Sequence, residues 1–190
     1  MLNNFNLVIS TYRGRENDCI SEFWYIMREL GDKKIDASLT GLPGLIVART
    51  SLNPIEVVEK LKKEAEEKPW FFRVILKIVP VEVNVKAEVE EIVDAAIRLA
   101  KSKIGENETF RVTIRKRLSD IDRMELIEKI AEKIENRVDL NNPDKIVWVE
   151  IIGDVAGVSV LKPEHVLSVQ IIRRQHRLRG KREFDTAGSD

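Results

Sequence analysis

Apolar positions change their spacing along this chain in a regular order, and the changes mark out its elements. Residues 5–12, FNLVISTY, are apolar and rich in strand formers. Between Asn17 and Leu30 the apolar residues follow the spacing of one helical face, and Gly31 supplies the stop. Two short strand patterns come next, DASLTG (36–41) and GLIVARTS (44–51), joined through Gly41, Leu42, Pro43 and Gly44. Asn53 and Pro54 then make a helix start, with Asn as the cap and Pro, its φ already helical, at the first position. Ile55, Val58, Leu61 and Ala65 form that helix's buried stripe, and EKLKKEAEEK its wet side. WFFRVILKIVPVEV (70–83) reads as a fourth strand. The order β-α-β-β-α-β is that of a ferredoxin-like unit.

A second α/β series follows. VKAEVEEIVDAAIRLAKSKI (85–104) is a helix with Val89, Ile92, Val93, Ala96, Ile97 and Leu99 facing inward. Its acids come early and its lysines late, as the helix dipole favours. GENE (105–108) is a turn into a strand, TFRVTIRKR, and a helix is expected over 123–136, capped by Ser119 or Asp120. IVWVEII (146–152) is so apolar that a central strand covered on both faces is expected. Gly153-Asp154 turns it into VAGVSVL. A last helix is expected from Pro163 through Ile172, running into a basic end. The fold class is therefore α/β (α+β), with an N-terminal ferredoxin-like domain over 1–84, a second α/β domain over 85–178 and a basic, flexible tail over 179–190.

Composition adds bounds. The 190 residues are 43% hydrophobic and 34% charged, above the ~25% charge usual for soluble proteins. Lys and Glu dominate, as they tend to in thermophiles. No apolar run approaches the ~20 residues of a membrane span, and the start lacks the features of a signal peptide. A cytoplasmic protein is expected. Cys19 shares a helical face with Phe23, Ile26, Met27 and Leu30, which makes it core packing.

Known chemistries find little footing. One Cys and two His, His165 and His176, offer no zinc cluster. No phosphate-binding glycine motif occurs, so GLPG and GDVAG are tight turns. Carboxylates pair with lysines on helix exteriors, as Glu59 does with Lys63 and Glu125 with Lys129. No catalytic residue, metal or cofactor is expected.

Net charge is zero, but its distribution is uneven. Alternation in a strand puts Arg111, Thr113, Arg115 and Arg117 on one face, over about 20 Å at ~3.3 Å per residue, with Lys116 beside them. Guanidinium forks suit phosphate oxygens two at a time. Arg173, Arg174, Arg177, Arg179, Lys181 and Arg182 form an acid-free cluster near the end, and Arg13 and Arg15 follow the first strand. The competing reading pairs these cations with acids of a neighbouring helix. WFFR (70–73) could stack bases, but burial of Trp and Phe in a core is the stronger expectation.

FRVTIRKRLSDID (110–122), followed by VDLNNPDKIVWVEIIGDVAGVSVLKP (138–163), resembles the THUMP domain of tRNA-modifying proteins. TYRGRE (11–16) further resembles the stand-alone THUMP proteins that assist tRNA cytidine acetylation. The resemblance implies binding to the acceptor stem and 3′ end of tRNA, with Arg111, Arg115 and Arg117 as the arginine strand. Asp139, Asn141, Pro143 and Asp144 would build a turn, and Gly153 and Gly157 a hairpin. It implies a non-catalytic adaptor that presents tRNA to a separate enzyme, an acetyltransferase. Rival readings are an RNA-modifying enzyme with a pocket between the domains, an RNA-binding subunit for thiolation or methylation, and a homodimer formed through a hairpin edge.

Overall fold

The computed structural model describes the backbone of residues 3–187 and the side chains of residues 3–180. The first unit runs β1 (Leu7–Thr11), α1 (Glu16–Glu29), β2 (Asp36–Leu39), β3 (Leu45–Arg49), α2 (Pro54–Glu67) and β4 (Ile75–Pro80). All its strand pairs are antiparallel, with β3 between β2 and β1, and β1 between β3 and β4. Each βαβ passage is thus split by one strand, as the sequence order anticipates. Asn53 caps α2 by accepting from the amides of Ile55 and Glu56.

The second unit runs β5 (Val83–Lys86), α3 (Val89–Lys103), β6 (Phe110–Arg117), α4 (Arg123–Ala131), β7 (Lys145–Ile152) and β8 (Val155–Leu161), in the sheet order β5-β8-β7-β6. β6 and β7 are parallel, as a crossover through α4 requires, and β6 is an edge strand. β7 is central and buried over nearly its whole length, as its apolar sequence leads one to expect.

Several details depart from the sequence pattern. The run 70–83 is not one strand: β4 belongs to the first sheet and β5 opens the second. α4 ends at Ala131 and is capped by Asp122, whose carboxylate accepts from the Glu125 amide. Pro163–His165 is a single 3-10 turn, followed by β9 (Leu167–Ser168) and α5 (Val169–Ala187). β9 pairs with β4, so the chain's last elements return to the first sheet although their sequence follows the second. The tail expected from residue 179 begins inside α5.

Alternation decides what each sheet face meets. Leu7, Ile9, Ile46, Ala48 and Ile78 lie under α1 and α2, packed with Phe23, Met27 and Leu61. Cys19 joins this core, and burial pushes its thiol up to about 12. Phe110, Ile114, Val147, Val149 and Val158 lie under α3 and α4. The opposite faces meet each other. Phe5, Val8, Val47 and Val81 pack with Ile152, and Val79 packs with Ile146, Trp148 and Leu161. Helices therefore cover the outside while the two sheets share an apolar seam. Among the described residues no helix is long and apolar enough to cross a membrane.

The two hairpin glycines serve different ends. Gly153 has φ +59°, the left-handed turn conformation that favours glycine. Gly157 is ordinary strand, but a Cβ there would lie 2.8 Å and 3.0 Å from the Val81 methyls and 3.1 Å from the Phe5 ring. It permits the sheets to close. Because Val81 is short and β-branched and both neighbours are buried, Gly157→Ala is expected to lower the unfolding free energy by about 1–3 kcal/mol. Urea denaturation followed by circular dichroism measures it, and an unchanged midpoint would show that the seam can yield.

Candidate nucleic-acid interface

β6 alternates as the sequence indicates: Phe110, Val112 and Ile114 join the helix-covered core, which sends Arg111, Thr113, Arg115 and Arg117 to the other side. In register, these four stand beside Ile146, Trp148, Glu150 and Ile152 of β7. Their surroundings then divide them.

Arg117 is neutralised. Its Nη1 lies 2.6 Å from Glu150 Oε2, and the carboxylate is only 3% exposed. The other oxygen of Glu150 accepts from Trp148 Nε1 at 2.8 Å. Lys77, reaching across from β4, sits with its ammonium 4.7 Å from the centre of the Trp148 ring. Burial holds the Lys77 ammonium below the usual lysine range, Glu150 opposes that shift, and Arg115 and Arg117 add to it. Burying a carboxylate costs several kcal/mol unless charge and hydrogen bonds compensate it, so Arg117 is committed here to the seam.

Arg111 is also committed. Its Nη1 donates to the Leu140 carbonyl at 3.1 Å, and its Nε is buried without a partner. It fastens the 138–144 turn to the edge strand. That turn is built as expected: Asp139 Oδ1 accepts from the amides of Asn141 and Asn142, and Asp144 Oδ2 from the amide and hydroxyl of Thr109. These hydrogen bonds, led by Asn142 for Asp139 and by the Thr109 amide for Asp144, hold both carboxyls below the usual carboxylate range. Lys116 does not share the arginine face. It points to the helix side, where Nζ donates to the Ile121 carbonyl at 2.7 Å. Arg115 is exposed and makes no ion pair among the described residues.

The basic cluster at the C-terminal end divides in the same way. Arg173 donates from Nε to the Pro69 carbonyl at 2.8 Å and from Nη2 to the Phe72 carbonyl, which clamps the 69–72 loop to α5. Arg177 Nε reaches the Arg173 carbonyl at 3.4 Å, a weak bond that leaves its other donors available. Arg174 and Arg179 are exposed, without an ion pair among the described residues. The side chains of Lys181 and Arg182 lie outside the described residues. Arg15 Nε pairs with Asp18 at 2.5 Å in water, and Arg13 is exposed in the adjoining turn.

β9 and α5 matter because they bring these groups beside the first sheet. Ser10 pairs with Lys77 and Lys77 with Ser168, so the start of α5 adjoins β4. Tyr12, Gln170, Arg173, Arg174, Arg177 and Leu178 line a common cleft of about 540 Å³. The sequence reading missed two features. Glu150 and Lys77 each interrupt an apolar strand, and a charge at such a position needs a buried partner. Trp70 was expected in the core, yet it is 70% exposed while Phe72 is buried.

With this geometry in place, comparison with known proteins assigns the second unit. The THUMP domain pattern matches residues 86–161, which span the end of β5 through β8. Those residues are a THUMP domain. An uncharacterised protein of Methanocaldococcus jannaschii is 27% identical to this chain over 163 residues, 83% of this chain and 41% of the relative. THUMP domain-containing protein 1 of Homo sapiens is 28% identical over 156 residues, 72% of this chain and 44% of the relative. A 4-thiouridine synthetase–RNA complex with bound ATP is 17% identical with a TM-score of 0.55, over 86% of this chain and 42% of that one, which shows a shared fold. The chain spans less than half the length of each of these relatives.

Within the THUMP domain the Glu150 network is testable by itself. Because the Arg117 side chain is 30% exposed, Glu150→Ala is expected to cost about 2–3 kcal/mol, below the ~3–5 kcal/mol of a fully buried pair. Chemical denaturation measures the loss. A variant as stable as the parent would show that Arg117 and Lys77 can rehydrate freely.

Proposed function

We propose that this chain binds tRNA, at the acceptor stem and 3′ end, and presents it to a separate modification enzyme, with N4-acetylcytidine formation the process served. The observation that carries this reading is a THUMP domain beside exposed arginines on two elements, Arg115 of β6 and Arg174 of α5. Together with Arg177 and Arg179 they provide planar forks suited to phosphate oxygens. Affinity would come largely from counterion release along the backbone. Discrimination would come from the shape of the RNA and from unpaired nucleotides, since the A-form major groove is too narrow for side chains to read. The RNA bound by the 4-thiouridine synthetase of similar fold is a ligand of the same chemistry.

The adaptor role draws support from how Glu150, Glu82, Glu22 and His165, near the two sheets, are employed. Glu150 holds Arg117 and Trp148. Glu82 joins Lys103 at 2.6 Å and accepts from the Val160 amide at 2.8 Å. Glu22 accepts from the amides of Arg73, Val74 and Ile75. His165 accepts from the Lys162 amide at 3.1 Å and faces Glu59 at 3.2 Å. Groups tied into architecture in this way are poorly placed for proton transfer to a substrate.

Two measurements test the reading. The logarithm of tRNA affinity is expected to fall linearly with the logarithm of salt concentration. Arg115→Ala and Arg174→Ala should each weaken binding and reduce that slope by about one phosphate's share, ~0.7–0.9; an unchanged slope in both removes these arginines from the interface. Incubation of the pure protein with tRNA and an acetyl, methyl or sulfur donor should leave the nucleosides unmodified by mass spectrometry. Product formed without a second protein would replace the adaptor by an enzyme.

A further inference from the structure

Trp70 stands out because the residues around it are fixed while its ring is left in water. Arg173 holds the carbonyls on either side of it, those of Pro69 and Phe72. Phe72 is buried and packs edge-on against Phe71, with ring centres 4.9 Å apart. The loop is therefore pinned at both ends, and Trp70 remains 70% exposed between them. His176 of α5 lies edge-on to it, with ring centres 6.3 Å apart. Pro69, Trp70, Arg173, His176 and Arg177 line a cavity of about 210 Å³.

Arg173 and Arg177, one helical turn apart, also line the neighbouring cleft, where the 45%-exposed Tyr12 lies. An arginine ridge thus separates two exposed aromatic rings, one presented by the turn after β1 and one by the loop before β4. This is the combination that binds single strands: rings accept the face of any base, while cations follow the backbone. Guanidinium planes add stacking and cation–π contacts of their own. An acidic peptide would use the arginines but would leave both rings without a purpose.

We infer that Trp70 and Tyr12, with the Arg173–Arg177 ridge between them, form a binding track for unpaired RNA. Bases stack on the two rings, and the connecting phosphates meet Arg174 and Arg177. This rests on the RNA-binding reading above and adds a site outside the THUMP domain, on the first sheet's side of the molecule.

The test uses the whole protein and a labelled single-stranded oligocytidylate of about eight nucleotides, a length typical of such sites, followed by fluorescence anisotropy. Trp70→Ala should weaken binding roughly tenfold, the usual worth of one stacked base. Tyr12→Ala should also weaken it, and Trp70→Phe should restore most of the affinity. Trp24, 40% exposed beneath Arg28 on α1, is the control, and Trp24→Ala should bind as the parent does. A fully paired RNA duplex should bind Trp70→Ala and the parent alike. Two results would overturn the track: unchanged oligocytidylate affinity in Trp70→Ala, or displacement by polyglutamate as effective as displacement by unlabelled RNA. If the parent binds neither folded tRNA nor the oligonucleotide, the RNA-binding reading falls as well. If tRNA binds with the expected salt slope while Trp70→Ala has no effect, only the track is lost.

Discussion

Glu150 places a carboxyl group in the interior of the second sheet, 2% exposed, where β7 faces the first sheet. A carboxylate in that position is tolerable only if donors reach it from several directions, and they do: Trp148 from its own strand and Arg117 from the edge strand. Lys77 of the first sheet supplies further positive charge across the seam, at the cost of its own partial burial. Aliphatic packing alone would let two apolar faces slide. Lys77 over the Trp148 ring adds a contact across the seam that aliphatic packing does not supply, and Gly157 lets the two sheets approach closely.

That arrangement sets the functional surface by subtraction. Of the three arginines on the face of β6 turned away from the helices, Arg117 serves the seam and Arg111 serves the 138–144 turn, which leaves Arg115 to meet solvent. On α5, Arg173 holds a loop while Arg174 faces outward. A guanidinium has five donors in a rigid fork, so an arginine beside free carbonyls is drawn into architecture. One held beyond their reach remains available to a phosphate.

The return of the chain through β9 gives this subtraction its reach. The THUMP domain ends with β8, at residue 161, but Leu167 and Ser168 pair with β4 and launch α5 beside the first unit. Cations from the end of the chain thereby stand near Tyr12 at its beginning. Exposed arginines therefore stand on both units, Arg115 on the second and Arg174 beside the first.

The sequence by itself determined the elements whose signals are local. Spacing of apolar residues marked both sheets' core strands, Asn53-Pro54 marked the start of α2, and the buried run of β7 announced a central strand. Alternation alone put Arg111, Arg115 and Arg117 on one face. Partners were not legible, because they are non-local: Glu150 lies 33 residues from Arg117, and Arg173 lies 104 residues from Pro69. Only the tertiary structure decided that β4 and β5 part company at Pro80, that the last strand rejoins the first sheet, and that Trp70 faces water. Local propensity fixes what a segment can become. Which charge is spent on folding, and which is left over to bind, depends on what the fold brings against it.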